Sequence, residues 1–264
     1  MSISTPTDNA SQAGVFLRNV NVVFPIYSSH GRSLKRSLVK AGSGNRIALN
    51  ASERLIVNGL QGIDLSAEHG DRIGLVGRNG SGKSTLLRAI AGVYEPEQGT
   101  VTVRGKVASL IDINLGLDIE ASGYENIRIR CLLLGQSDRG MADKIAKIAE
   151  VTELGDFLEM PVRTYSSGMV MRLGFAISTA FVPDVLLMDE WIGVGDSTFV
   201  EKAQNRLQRL VGETGILFIA SHNADIIRKT CNRVIWLDQG MIRMDGTPDE
   251  VIAAYDAEPE MAAP

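Results

Sequence analysis

The chain has 264 residues, of which 44% are apolar and 22% charged, an ordinary balance for a globular protein able to bury a full core in one large α/β domain or a domain with a small appendage. A net charge of −4 argues against non-specific binding of nucleic acid, which needs a basic surface. The two cysteines, Cys131 and Cys231, form no spacing motif, which excludes a disulfide framework and fits a reducing compartment.

Residues 1–14 are rich in Ser, Thr and Asn and lack the basic start and apolar centre of a signal peptide, so they read as a disordered tail. Val15 to Phe24 is Val-rich with imperfect alternation and predicts a strand. Ser28 to Ser52 carries Arg32, Lys35, Arg36, Lys40 and Arg46 with no acidic residue, and Leu34 and Leu38 stand one helical turn apart. A solvated basic loop between two strands fits it. So does a short amphipathic helix lying against anionic head groups or a membrane partner.

From Leu55 the pattern becomes strand, Gly-rich turn, helix: Arg72 to Val76 is a short apolar strand and Ser84 to Ala91 a helix. Val101 to Ile111 supplies further strand material. Tyr124 to Leu134 and Met141 to Glu153 read as helices, the second with Ile145, Ile148, Ala149 and Thr152 at 3-4 spacing. Gly168 to Phe181 is another helix, followed by buried strands at Val185 to Met188, Ile216 to Ala220 and Val234 to Leu237. Thr247-Pro248-Asp249-Glu250 is a capping box with Pro at the first helical position, opening a last helix that ends near Tyr255. The most apolar stretch, Leu173 to Met188, is broken by Pro183-Asp184 and falls short of the ~20 residues that a spanning helix needs. Strands alternating with helices predict a mainly parallel sheet covered on both faces.

Gly77-Arg78-Asn79-Gly80-Ser81-Gly82-Lys83-Ser84 fits G-x-x-x-x-G-K-[ST] and sits between an apolar strand and a helix, where that motif must sit. Its glycines let backbone N–H groups and a helix N-terminus wrap a phosphate chain. Lys83 adds a point charge for the β- and γ-phosphates, and Ser84 offers a hydroxyl to Mg²⁺. Val185 to Glu190 is a buried strand that ends in two carboxylates, at the sheet end where ligands gather. Asp189 suits Mg²⁺ through water, and Glu190 is placed to orient or deprotonate the attacking water. The pairing with the upstream loop reads as a P-loop NTPase.

A P-loop alone does not name a reaction. Tyr165-Ser166-Ser167-Gly168-Met169 opens a helix and so offers a second anion-binding tip; Gly193-Val194-Gly195-Asp196 follows the acidic pair; His222 closes a strand, in reach of a γ-phosphate. In this order the set resembles the ATPase subunit of ABC transporters: Walker A at Gly77 to Ser84, signature at Tyr165 to Met169, Walker B at Val185 to Glu190, D-loop at Gly193 to Asp196, and switch histidine at His222. The resemblance covers about Val15 to Tyr255. It implies an ABC-type α/β fold with a mainly parallel core sheet, an antiparallel β subdomain and a helical subdomain at about residues 115–180. The ATPase domain would span 15–256 and be followed by a tail at 257–264.

The resemblance further implies two copies paired head to tail, with each ATP held between residues 77–85, including Thr85, of one copy and Ser166, Ser167 and Gly168 of the other. Asp196 would lie at the same junction, and Phe24 or Tyr27 would stack on adenine. Tyr-Ser-Ser-Gly-Met, Gly123 to Ile127, Arg233 to Asp238 and the ending Gly246 to Ile252 with Tyr255 are similar to exporters of O-antigen, capsule, teichoic acid and galactan. Membership there implies ATP and Mg²⁺ as cofactors and an integral membrane permease as partner. It also implies a polysaccharide or lipid-linked glycan as cargo and a peripheral place on the cytoplasmic face of the inner membrane. Because the sequence closes soon after Tyr255, no appended carbohydrate-binding domain is expected. An importer or a drug or lipid exporter is the alternative. One departure stands out: the usual Gln near position 113 is missing from Leu110-Ile111-Asp112-Ile113-Asn114, which leaves Asp112 or Asn114 as the substitute oxygen ligand.

Overall fold

In β1 (Gly14–Pro25) the apolar residues Val15, Leu17, Val20 and Val22 are buried while Arg18 and Asn19 are exposed. The step from Leu17 to Val20 breaks the period of two. Asn19 absorbs it with a left-handed φ of 48° and a shift in strand register, a bulge that returns the apolar set to one face. β1 pairs antiparallel with β3 (Leu55–Glu68) on one side and β5 (Gln98–Arg104) on the other, and β2 (Ile47–Leu49) extends the sheet beyond β3. The computed structural model describes residues 13–26, 47–49, 55–111, 113–114, 116–190 and 197–258. The basic cluster from Arg32 to Arg46 lies outside them.

The second sheet has six strands in the order β10-β9-β4-β8-β7-β6. Its members are β4 (Arg72–Val76), β6 (Val107–Ser109), β7 (Val185–Asp189), β8 (Ile216–Ala220), β9 (Arg233–Asp238) and β10 (Met241–Gly246). All neighbours are parallel except β10, which turns back antiparallel on β9. All five residues of β8 are buried, as a parallel strand covered on both faces requires. One face packs on α1 (Lys83–Ile90) and on the antiparallel sheet, with Leu86, Leu87, Leu75, Phe218 and Leu60 in a shared core. The other is covered by α5 (Ser197–Glu213), α6 (Ala224–Thr230) and α7 (Pro248–Ala257) through Leu207, Leu210, Ile227, Val251 and Ile252.

Three further helices, α2 (Gly123–Leu133), α3 (Met141–Thr152) and α4 (Ser167–Ser178), enclose a separate core of Ile127, Cys131, Ile148, Leu158 and Leu173. Ser122 and Glu125 form a reciprocal cap at the start of α2, with bonds of 2.8 and 3.2 Å. Ser122 N and Ser122 Oγ both donate to the Glu125 carboxylate at 2.8 Å, which holds that carboxyl below its ordinary range. Asn126 is buried. Its Oδ1 accepts from Asp118 N, and its Nδ2 donates to Asp118 O and Ser122 O, so it ties the preceding loop to the helix.

The stretch from Val101 to Ile111 is not continuous: it divides at Gly105 between the two sheets as β5 and β6. Gly105 takes φ 106°, and Lys106 N donates to Asp184 Oδ2 at 2.7 Å, which steers the chain from one layer to the other. The helix expected to reach Phe181 stops at Ser178, where Thr179 turns its hydroxyl back onto Phe175 O. β10, α5 and α6 had no individual prediction. The last helix forms as its capping box predicts, with Thr247 N and Oγ1 both donating to the Glu250 carboxylate.

Candidate functional site

The loop between β4 and α1 is made of conformations that side chains would block. Gly77 has φ 144°, and a Cβ there would fall 2.2 Å from the carbonyl oxygen of Leu237. Gly80 and Gly82 take φ 80° and 115°. Behind the loop, Gly240 N donates to Ser81 O at 2.8 Å, so the β9–β10 turn braces it. The Ser81 hydroxyl is buried without a hydrogen-bond partner. A buried donor left unused beside the N-terminus of α1 is what an anion would satisfy.

Lys83 is 8% exposed and donates from Nζ to Gly77 O at 2.6 Å and Arg78 O at 3.2 Å. Burial pulls its pKa below the ordinary value, and the nearby Asp189 and Glu190 carboxylates partly offset that. Ser84 Oγ, in the first turn of α1, donates to Asp189 Oδ2 at 2.5 Å. Two hard oxygens placed together beside the phosphate cradle match the donor set of Mg²⁺.

β7 delivers Asp189 to the cavity, and Glu190 follows with a left-handed φ of 74° and its N–H on Ala220 O. β8 lies between β4 and β7 and ends beside them, which brings His222 Nε2 to 3.8 Å from Glu190 Oε1. Residues 79–85 together with Arg88, Ile111, Asp189, Glu190 and His222 enclose a cavity of about 410 Å³. Phosphate donors, a metal-suited oxygen pair and a carboxylate–imidazole pair thus face one space. That arrangement suits in-line attack of water on a terminal phosphoryl group.

The family model described as ABC transporter matches residues 60–193. The O-antigen export system ATP-binding protein RfbE of Yersinia enterocolitica is 45% identical over 228 residues, which cover 86% of this chain and 95% of that protein. The chain belongs to the ABC transporter family. The teichoic acids export ATP-binding protein TagH of Shouchella clausii is 42% identical over 197 residues, covering 75% of this chain and 54% of that protein. An ATP-binding cassette solved as a dimer in a post-hydrolysis state with ADP and Pi has a TM-score of 0.63 at 19% identity, covering 89% of this chain and 98% of that one. That likeness shows the fold: an ABC ATPase with the parallel core, the antiparallel layer and the helical layer described above.

In this ABC transporter ATPase not every expected residue meets at the cavity. Phe24 is half-buried, its ring edge-on to Tyr94 at 5.1 Å, and is absent from the cavity wall. Asn114 Oδ1 packs close to Gly174 of α4. Ser166 caps α4, accepting from Met169 N at 3.3 Å, and neither it, Ser167 nor Gly168 touches the phosphate cavity of the same chain. Tyr27, Asp112 and Asp196 lie outside the described residues. Arg88 and Ile111 line the cavity without having been foreseen. Arg88 stands one helical turn beyond Ser84, a spacing that could have pointed to it.

Proposed function

We propose that this ATPase drives export of a polysaccharide, lipid-linked where the cargo is so carried, through a separate integral membrane permease. The observation that carries the reading is a match at 45% identity to an O-antigen export ATP-binding protein over 95% of its length. Relatives named for O-antigen export in Klebsiella pneumoniae and teichoic acid export in Listeria monocytogenes support it, at 32% and 40% identity. No helix among the described residues is long and apolar enough to cross a membrane. Export through such a permease would put the chain on the cytoplasmic face of the inner membrane, held there by its partner. The ATPase unit spans residues 15–256, with its helical subdomain at about 115–180.

Within the site, residues 77–85 bind the phosphates and Lys83 lies against the β- and γ-groups. Ser84 and Asp189 hold Mg²⁺, with Asp112 as a further candidate ligand. When bound there, the ion would neutralise charge on the phosphate chain. Glu190 orients and deprotonates the attacking water, and His222 contacts the γ-phosphate. Ser166, Ser167 and Gly168 of a second copy close over the same nucleotide, Asp196 lies at that junction, and Phe24 or Tyr27 flanks the adenine. Support for two copies comes from the α4 tip, a capped helix N-terminus that, among the described residues, is not part of the phosphate cavity wall of its own chain.

The reading gives the permease one groove on which to dock. A groove of about 750 Å³ between β6 and the helical layer is lined by Val93, Ile111, Arg130, Leu133 and Phe181. Arg88 and Ile111 line both this groove and the nucleotide cavity, so one wall serves both. The test is genetic and biochemical. Deletion is expected to remove a surface glycan, and the chain is expected to co-purify with a multi-spanning permease. Normal surface glycan in the deletion strain overturns the assignment of cargo.

A further inference from the structure

Gln239 and Gly240 form the two-residue turn between β9 and β10, with φ of 47° and 81°, left-handed at both positions as a tight hairpin turn requires. The turn is wedged between β3 and the phosphate loop, backbone against backbone. A Cβ on Gly240 would fall 2.8 Å from Gly59 O. One on Gly82 would fall 3.0 Å from the same oxygen and 3.4 Å from Gly240 Cα. On the β3 side Gln61 holds the turn twice: its N–H donates to Gly240 O and its side-chain Nε2 to Gln239 O, each at 2.8 Å. Asn58 Nδ2 donates to Gln61 Oε1 at 3.4 Å, which leaves Nε2 as the end of that amide facing the turn. On the other side Gly240 N–H donates to Ser81 O at 2.8 Å.

The last of these bonds has a direction. In a planar trans peptide the carbonyl oxygen and the following N–H point opposite ways. Fixing Ser81 O on the turn therefore aims the Gly82 N–H away from it, and Gly82 lies in the wall of the phosphate cavity. A cradle built on Gly77, Gly80 and Gly82 has little stiffness of its own. The chain of bonds from Gln61 through the turn to Ser81 supplies it from outside. Stability is a minor part of the effect, because the Gln61–Gln239 bond is exposed and such a bond adds little to folding. Aim is the larger part, since donors already oriented meet an anion without a reorganisation cost.

We infer that Gln61 is a positioning residue for phosphate binding: through the Gln239–Gly240 turn it holds the Ser81–Gly82 peptide with its N–H towards the bound phosphates. The inference rests on the reading of residues 77–85 as the phosphate cradle.

The test uses the full chain and three variants, Gln61→Met, Gly240→Ala and Lys83→Ala. Methionine keeps the shape of the glutamine side chain and removes its donor. Equilibrium binding of ADP and of ATP, steady-state hydrolysis and melting of the nucleotide-free protein are measured on each. Gln61→Met is expected to weaken ADP and ATP alike by roughly fivefold, because both place a β-phosphate in the cradle. KM should rise by a similar factor with kcat nearly unchanged, and the nucleotide-free melting midpoint should stay close to the parent's. Gly240→Ala is expected to lose roughly tenfold or more, since the added Cβ pushes the turn off Gly59. Parental ADP affinity in Gln61→Met overturns the positioning role. So does a loss confined to ATP, or one that tracks a lowered melting midpoint. If Lys83→Ala binds ADP as the parent does, the cradle reading falls and the inference with it. If Lys83→Ala loses ADP while Gln61→Met keeps it, the role of Gln61 alone falls.

Discussion

Ser84 donates its hydroxyl hydrogen to Asp189 across 2.5 Å, and this bond joins the start of α1 to the end of β7. The same two oxygens are the pair proposed to hold Mg²⁺. Ser84→Ala is therefore expected to raise the Mg²⁺ concentration for half-maximal ATPase activity roughly tenfold, with little loss of fold stability. Asp189→Asn should do the same and also lower kcat. A Mg²⁺ titration of steady-state hydrolysis checks both, and an unchanged curve in either variant removes that residue from the metal site.

Glu190→Gln keeps the shape of the side chain and takes away its basicity. Turnover is expected to fall by a factor on the order of 10²–10³ while ATP binding persists, and an ATP-bound dimer should accumulate in gel filtration. His222→Ala should lower kcat as well, because its imidazole sits 3.8 Å from the Glu190 carboxylate. Parental turnover in Glu190→Gln would hand the water-activating role to another group.

Lys83→Ala is expected to weaken nucleotide binding itself, by roughly tenfold or more, since a buried cation at the cradle is lost. A pH effect accompanies it. Burial lowers the Lys83 pKa in the folded chain from the ordinary 10.5, so between the two values the unfolded state holds more protons. Stability from this group is full above the unfolded value and is lost as pH falls through the folded one. Melting curves of the nucleotide-free parent and Lys83→Met should accordingly shift in the parent's favour as the pH rises towards the ordinary lysine range. A difference that stays constant with pH would refute the shift.

Burial pushes the Cys231 thiol up to about 12 and also raises Cys131, in an apolar setting for each. Neither is expected to react with a disulfide reagent in the native protein at about pH 8, and both should react once urea unfolds it. Fast labelling of either native thiol would show that the structure around it opens locally.

Local chemistry was legible from the sequence wherever it depends on neighbours in the chain. The phosphate loop, the apolar β7 that ends in Asp189 and Glu190, and the Thr247–Glu250 cap each rest on contacts a few residues apart, and all three stand as their spacing predicts. Contacts across the chain were foreseen only where motifs share one nucleotide, as for Ser84, Asp189 and His222, and the strand order that makes them was not. Ser84 and Asp189 are 105 positions apart, and they meet because β8 inserts between β4 and β7. The same strand order carries His222 to Glu190. The division of residues 98–109 between two sheets and the bracing of the loop by Gly240 gave no signal, because a glycine at a turn occurs in every fold. Residue type and spacing thus determined what each segment could bind, since hydrogen-bonding capacity and backbone freedom belong to the residue. Which segments bind together was decided by strand order and helix packing, which follow from burying one shared core.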